Sequence, residues 1–151
     1  MLHHLQFAVL ATIFSLAAAG GTPMSHAAAA AKLRNAGIGI SSSGGCSDNN
    51  PSCTSLEGVL TGTIDNAVVL KGACACSLTV TGGTETGHGT GPGKTHGNGY
   101  KLDYRKDAGL NSYIQNHFAY AGVRGDGYKM WKSASGNIYT DEGNHWDVVY
   151  I

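Results

Sequence analysis

Residue types that bind metals are concentrated in the second half of the chain. His96 stands at the end of a glycine-rich stretch, and Asp103 follows seven residues later in a segment that predicts a strand, so both side chains can turn toward one point. A later cluster contains Glu142 and His145, three residues apart. Two histidines and one carboxylate are a common zinc-binding set that leaves a fourth position for water. The pattern therefore predicts zinc (Zn2+) held by His96, Asp103 and His145, with Glu142 beside it as a general base.

Two motifs in this region resemble those of a known family. Residues 95–103 read THGNGYKLD, which resembles the S-H-x-x-G-x-A-x-D motif of the D-alanyl-D-alanine metallopeptidases, a family grouped with lysostaphin-type endopeptidases and the hedgehog signalling domain. Residues 142–147 read EGNHWD, which resembles the family's E-x-x-H motif followed by an aromatic residue. The resemblance covers roughly residues 77–151. It implies a zinc-dependent peptidase with the same three ligands and the same base.

The chain departs from this family where carboxypeptidases bind their substrate. Those enzymes hold the terminal carboxylate of the substrate with a basic residue that has no match in residues 79–88, TVTGGTETGH. Arg105 or Arg124 could serve instead from another element. Thr95 and Lys101 replace the usual Ser and Ala, and both changes are tolerable. An endopeptidase with a cleft open at both ends is therefore as consistent with the sequence as a carboxypeptidase.

Three further residues are candidates for supporting or substrate-binding roles. Asp147 lies two residues beyond His145 on an alternating strand, so it shares a face with His145 and suits the carboxylate partner of a metal-bound histidine. His88 could bind substrate, bind a second metal or cap a turn. Arg124 is the candidate for substrate binding named above. Glu85, three residues before His88, is predicted to be an exposed loop carboxylate.

Hydrophobic patterning predicts an α+β fold that positions these residues. Apolar residues at three- and four-residue spacing predict one or two helices within residues 55–72 and another over 110–118. Alternating and β-branched segments predict strands at 77–81, 100–104, 120–124, 128–132, 137–140 and 145–151. Residues 82–99 contain eight glycines and predict a long functional loop. We expect N-terminal helices packed on a small, mainly antiparallel sheet that carries the zinc site.

The N-terminal segment predicts secretion to the extracellular space. Residues 5–19, LQFAVLATIFSLAAA, form an uncharged stretch that is too short to span a membrane and suits the core of a signal peptide. Residues 1–27 are the predicted signal peptide, with cleavage between 19 and 28, either after Ala19 or near Ala27. Residues 28–45 are predicted to be a flexible arm, and residues 46–151 a zinc metallopeptidase-like domain.

Four cysteines fit an oxidising destination. Cys46 and Cys53 are spaced to close a small loop, whereas Cys74 and Cys76 would close a tight ring. We therefore favour the Cys46–Cys53 bond among the three possible pairings. Four thiolates on zinc are the rival interpretation, but C-x6-C and C-x-C match the usual zinc-knuckle spacings poorly.

Charge and composition exclude several classes of partner. Ten Lys and Arg balance ten Asp and Glu, and only 13% of the residues are charged. Without a basic run the chain has no electrostatic footprint for nucleic acid or for an anionic membrane. We expect a monomer with no membrane span once the signal peptide is removed.

The leading interpretation is a secreted zinc metallopeptidase that hydrolyses peptide bonds of bacterial cell-wall peptidoglycan, a substrate implied by the resemblance. The alternative is a non-catalytic, zinc-stabilised module that binds a cell-wall or surface polymer, which would bind zinc without turnover. A glycosidase that pairs Glu142 with Asp103 or Asp141 is the third possibility. It leaves both His96 and His145 unexplained.

Overall fold

Seven strands form one sheet in a computed structural model of the chain, which describes residues 20–151. The strands are β1 (Gly39–Ile40), β2 (Thr79–Gly82), β3 (Lys101–Arg105), β4 (Ala119–Val123), β5 (Lys129–Lys132), β6 (Ile138–Asp141) and β7 (His145–Val149). Their order across the sheet is β1-β2-β3-β7-β6-β5-β4. Only β1 and β2 run parallel within the described residues, so the prediction of a mainly antiparallel sheet is confirmed.

Three helices accompany the sheet in the described part of the chain: α1 (His26–Asn35), α2 (Thr61–Cys74) and α3 (Ala108–His117). Their apolar residues join those of β3 and β7 in one buried cluster. Trp146 of β7 is fully buried there, and its Nε1–H donates to Asn111 Oδ1 of α3 at 2.7 Å. The α+β fold class is confirmed, with the core between the helices and one face of the sheet.

The structure corrects the prediction that residues 28–45 form a flexible arm. They contribute most of α1, which begins after Ser25, whose Oγ accepts a hydrogen bond from the backbone N–H of Ala28 at 3.2 Å. Ala29 and Leu33 of this helix are fully buried in the core, and β1 follows as the first strand of the sheet. Alanine is the best helix former, and its small side chain allows close packing. The alanine run that suits a signal-peptide boundary therefore also suits a core helix, and the folded domain begins before residue 46.

The segment before α1 is also bonded to the rest of the fold. Met24 donates its N–H to Val59 O and accepts the N–H of Gly58, both at 2.8 Å. Pro23 forms a bridge with Leu60. The predicted signal-peptide core at residues 5–19 lies outside the described residues.

Both cysteine pairs lie at disulfide distance. The Cys46–Cys53 bond has an S–S distance of 1.99 Å, which confirms the favoured pairing, and Cys74 pairs with Cys76. The two disulfides leave no free thiol to form a four-cysteine zinc site. Between residues 20 and 151, the structure contains no helix with the length and apolar character needed to cross a membrane.

Candidate metal centre

The candidate site lies on the face of the sheet opposite the helices. Leu102 and Tyr104 of β3 are fully buried in the core, so the alternation of side chains places Asp103 on the other face. In β7 the buried Trp146 likewise leaves Asp147 on that face. The register of the two strands pairs Asp103 with Asp147. Two carboxylates therefore stand opposite each other across neighbouring strands.

Two positively charged side chains contact Asp147. Lys101 Nζ and Arg124 Nη1 each lie 2.9 Å from Asp147 Oδ2. Burial raises the pKa of Asp147, but the hydrogen bond with His96 and the charge of Lys101 outweigh it and hold the pKa well below its usual range. Like charges directly opposite each other in a sheet are destabilising. Lys101 and Arg124 offset that repulsion on the Asp147 side.

His96 reaches both carboxylates from the glycine-rich loop, defined here as residues 83–100 between β2 and β3. Its Nδ1–H donates to the backbone oxygen of Gly83 at 2.8 Å. Its Nε2 lies 3.2 Å from Asp103 Oδ1 and 3.1 Å from Asp147 Oδ1. Burial lowers the pKa of His96, but the two carboxylates raise it, to about 9. Because Nδ1–H is bonded to Gly83, Nε2 is the nitrogen of His96 that faces the two carboxylates.

His145 and Glu142 approach from the turn between β6 and β7. His145 Nε2 lies 2.8 Å from Glu142 Oε2 and 3.8 Å from Asp103 Oδ2. Asn144 Oδ1 contacts the other ring nitrogen of His145. The E-x-x-H spacing thus brings the base candidate and the histidine into direct contact beside Asp103.

Arg124 lies beyond the end of β4, in the turn that leads to β5. Its guanidinium donates to Asp126 at 2.7 Å, to Glu142 and to Asp147. The hydrogen bond to Asp126 and the charges of the other two carboxylates raise the pKa of Arg124. Arg124 is therefore already engaged by three carboxylates of the protein. Arg105, the other basic candidate, is exposed at the end of β3.

Glu85 is buried, and the prediction that it is an exposed loop carboxylate is wrong. It is 4% exposed, and its Oε1 accepts the backbone N–H groups of Ser55 at 2.8 Å and Gly83 at 2.9 Å. Its Oε2 accepts a hydrogen bond from His88 Nε2. Burial raises the pKa of Glu85, but the hydrogen bonds from His88, Ser55 and Gly83 lower it below the usual value.

His88 lies among the predicted ligands. Its ring stacks on that of His96 with 3.8 Å between centroids, and its Nδ1 lies 3.8 Å from Asp103 Oδ2. The ligand atoms of His88, His96 and Asp103 all lie within 4.8 Å of one another, so these three residues could hold a metal ion. The predicted set shares His96 and Asp103 with this group, but its third member, His145, does not belong to the group within the described residues.

One cavity of about 600 Å³ contains the whole arrangement. All seven predicted site residues line it: His88, His96, Asp103, Arg124, Glu142, His145 and Asp147. Asp103 Oδ1 is the one buried side-chain oxygen or nitrogen of the described residues that has no hydrogen-bond partner. Its nearest charged neighbour is His96 Nε2, 3.2 Å away. A cation beside Asp103 would give this oxygen a further partner, so the residues present fit a metal ion.

Comparisons with known proteins do not identify a family. A scan against protein-family models matched none, and searches of curated proteins and of solved structures gave no match. The resemblance to the D-alanyl-D-alanine metallopeptidases therefore rests on the two sequence motifs alone.

A repeated spacing in the sequence connects Glu85, which was predicted to be exposed, with His88, which was already a candidate site residue. Glu85 and His88 have the same E-x-x-H spacing as Glu142 and His145. In both segments the glutamate contacts the histidine, and in both the histidine lies 3.8 Å from Asp103 Oδ2. Lys101, interpreted only as a tolerated replacement for alanine, and Asp126 also line the cavity, and the sequence analysis gave neither of them a role in the site.

Proposed function

We propose that this protein is a secreted zinc-dependent peptidase that hydrolyses peptide bonds of bacterial cell-wall peptidoglycan. The observation that carries the proposal is the buried Asp103 carboxylate: its Oδ1 forms no hydrogen bond of good geometry and lies 3.2 Å from His96 Nε2, and its Oδ2 lies 3.8 Å from His145 Nε2. These three residues would hold the zinc ion. The choice of zinc follows from the two-histidine, one-carboxylate donor set. The cell-wall substrate is inferred from the motif resemblance.

The chemistry assigned to the protein's own residues centres on Glu142. Bound zinc supplies a Lewis acid that polarises a carbonyl and lowers the pKa of water. Glu142 lines the cavity and takes the proton from the attacking water, then returns it to the leaving amine. Arg124 donates to Glu142 Oε1 and so holds the carboxylate in place.

The position of Arg124 favours cleavage within a peptide. A carboxypeptidase needs a cation that is available to the terminal carboxylate of its substrate. Because Arg124 is engaged by Asp126, Glu142 and Asp147, its guanidinium is poorly available for that purpose. We therefore favour an endopeptidase over a carboxypeptidase.

Secretion is part of the same proposal. Disulfides persist in oxidising environments outside the cytosol, and two cysteine pairs lie at disulfide distance here. They are consistent with an extracellular protein, as is the composition of residues 5–19.

The test compares the wild-type protein with Glu142→Gln and with a control, Asp48→Asn, which removes an exposed carboxylate in a surface loop. Zinc content is measured by elemental analysis, and new amino groups are counted after incubation with purified peptidoglycan. We expect about one zinc in each protein, and amine release at least about 100-fold slower in Glu142→Gln alone, since general acid–base catalysis contributes at least that factor. Absence of zinc from the wild-type protein would contradict the metal centre.

A zinc-stabilised binding module is the second candidate, and one observation favours it. His88 brings a further ring nitrogen to the same Asp103 carboxylate, and structural zinc sites are closed by four protein ligands. This candidate predicts that the wild-type protein binds zinc and sediments with peptidoglycan but releases no amine. It also predicts that a chelator unfolds the protein.

A further inference from the structure

Two histidines flank the same oxygen of Asp103, but their bonding differs. His145 uses one nitrogen, Nε2, both to contact Glu142 at 2.8 Å and to face Asp103 Oδ2 at 3.8 Å. His88 divides these contacts between two nitrogens: Nε2 bonds Glu85, and Nδ1 faces Asp103 Oδ2. No hydrogen bond of the described residues occupies His88 Nδ1. His88 is therefore arranged to offer a lone pair to a cation without losing its carboxylate partner.

A carboxylate fixes the ring of His88. Metal-binding histidines usually donate their other N–H to a carboxylate or carbonyl, which sets the tautomer and makes the ligand more basic. Glu85 Oε2 accepts the Nε2–H of His88, so the remaining lone pair is on Nδ1.

Glu85 itself has little freedom to move. It is 4% exposed, and the backbone N–H groups of Ser55 and Gly83 hold its Oε1. Ser55 precedes α2 and also accepts the N–H of Thr84 at 2.7 Å. The stacking of His88 on His96 fixes the remaining orientation of the ring. The position of His88 is therefore set by buried groups although the loop that carries it is rich in glycine.

We propose that His88 is a further ligand, through Nδ1, of the metal held by His96, Asp103 and His145, and that Glu85 is the positioning residue that presents it. The inference rests on the proposed metal centre. With His88 the centre would have four candidate donors, the number of a tetrahedral zinc site. Three of them, His88, His96 and Asp103, lie within 4.8 Å of one another, and His145 Nε2 lies 3.8 Å from Asp103 Oδ2. The metal would then attach the glycine-rich loop to the sheet. With four protein ligands in place, a water can bind the metal only when one ligand leaves or the coordination number rises to five.

The test measures zinc affinity by competition with a chromophoric chelator, with zinc alone as the probe. Wild-type protein is compared with His88→Gln and Glu85→Gln. His96→Gln shows the effect of losing a ligand on which the proposed centre depends. His117→Gln removes an exposed histidine at the end of α3 and is the matched control. We expect His88→Gln and Glu85→Gln each to weaken zinc binding by at least about tenfold, because loss of a ligand's carboxylate partner alone costs about 10–100-fold. His117→Gln should bind as the wild type does.

Hydrogen exchange gives a second measurement that does not depend on affinity. We expect saturating zinc to slow amide exchange in residues 83–95 of the wild-type protein and to leave those amides unprotected in His88→Gln. Matching thermal unfolding of the two chelated proteins would show that the variant is folded. Wild-type zinc affinity in His88→Gln, or equal loop protection, would overturn the inference while leaving the proposed function standing. Absence of zinc binding by the wild-type protein would overturn both.

Discussion

Asp103 and Asp147 face each other across β3 and β7, but they have different partners. Asp147 is hydrogen-bonded to Lys101 and Arg124, whereas Asp103 Oδ1 has no hydrogen-bond partner. Because both cationic side chains gather on Asp147, the side-chain nitrogen atoms nearest to the Asp103 carboxylate belong to His96, His88 and His145. This difference in partners explains why we expect a metal at Asp103, whereas Asp147 is already paired with Lys101 and Arg124.

Tyr104 and Tyr150 form a polar contact inside the core that predicts alkaline sensitivity. Their hydroxyls are hydrogen-bonded to each other, and both residues are fully buried. Burial raises the pKa of both phenols. The folded protein therefore keeps two protons that unfolded tyrosines release above about pH 10. The stability they contribute is complete below that pH and is lost as the pH rises above it.

We expect the free energy of unfolding, measured with urea, to fall more steeply above pH 10 in the wild-type protein than in Tyr150→Phe, which has one such phenol fewer. At pH 7 the variant should lose about 1–3 kcal/mol, because the Tyr104 hydroxyl is left buried without its partner. Tyr120→Phe is the control, since Tyr120 is 56% exposed. The same alkaline slope in wild type and Tyr150→Phe would contradict the prediction.

The motif residues come together in one cavity because each motif is short. Asp103 and Asp147 lie on strands, where alternation alone decides the face, and His145 and Glu142 are joined by a tight turn. Their roles as ligands and base remain predictions. The position of His88 depends on the burial of Glu85 against Ser55, thirty residues earlier, a tertiary contact that no local pattern records.

Gly83 shows how the glycine-rich loop is held against the segment before α2. A Cβ atom at Gly83 would lie 2.2 Å from the backbone oxygen of Ser55 and 3.1 Å from Leu56 Cδ2. The N–H and C=O of Gly83 bind Glu85 and His96, so the close approach positions both side chains.

We expect Gly83→Ala to lower the free energy of unfolding by about 1–3 kcal/mol, the usual cost of inserting a methyl group into a packed site. Gly89→Ala, in the same loop, should change it by less than about 0.5 kcal/mol, because no atom lies within 4 Å of the added Cβ. Urea denaturation of the two variants in chelator measures the difference without a contribution from metal. Equal stability of both variants would contradict the proposed contact.

The accuracy of the predictions for helices and strands follows from periodicity. The segments with β-branched or aromatic residues became β2 to β7 within one or two residues of the predicted starts, and α3 matches the predicted helix. Helix α1 was missed because its buried positions are mostly alanine, so its apolar stripe is weak. The capping Ser25, with Lys32 and Arg34 in the last turn, is the signal that could have revealed it.

The bonds that residues 20–25 form with the rest of the fold distinguish the two predicted cleavage positions. Cleavage after Ala19 would retain this segment, whereas cleavage after Ala27 would remove it together with the Ser25 cap. We expect the chain that starts at Gly20 to be more stable than the one that starts at Ala28 by several kcal/mol, since each lost hydrogen bond costs on the order of 1 kcal/mol.

Two measurements check this prediction. Denaturant unfolding of both chains gives the difference in stability, and N-terminal sequencing of the exported protein gives the cleavage position. A protein that begins at Ala28 with undiminished stability would contradict the expectation.

The small ring closed by Cys46 and Cys53 supports the loop that carries His88. Asn49 Oδ1, inside the ring, accepts the N–H of Thr86 at 2.8 Å, and the ring's Pro51 packs against Gly87. The ring implies an order of maturation. If the protein is secreted and binds zinc as proposed, the reduced chain inside the cell would lack this support for the loop that carries His88. Oxidation would then precede metal uptake, and the metal would come from outside the cell.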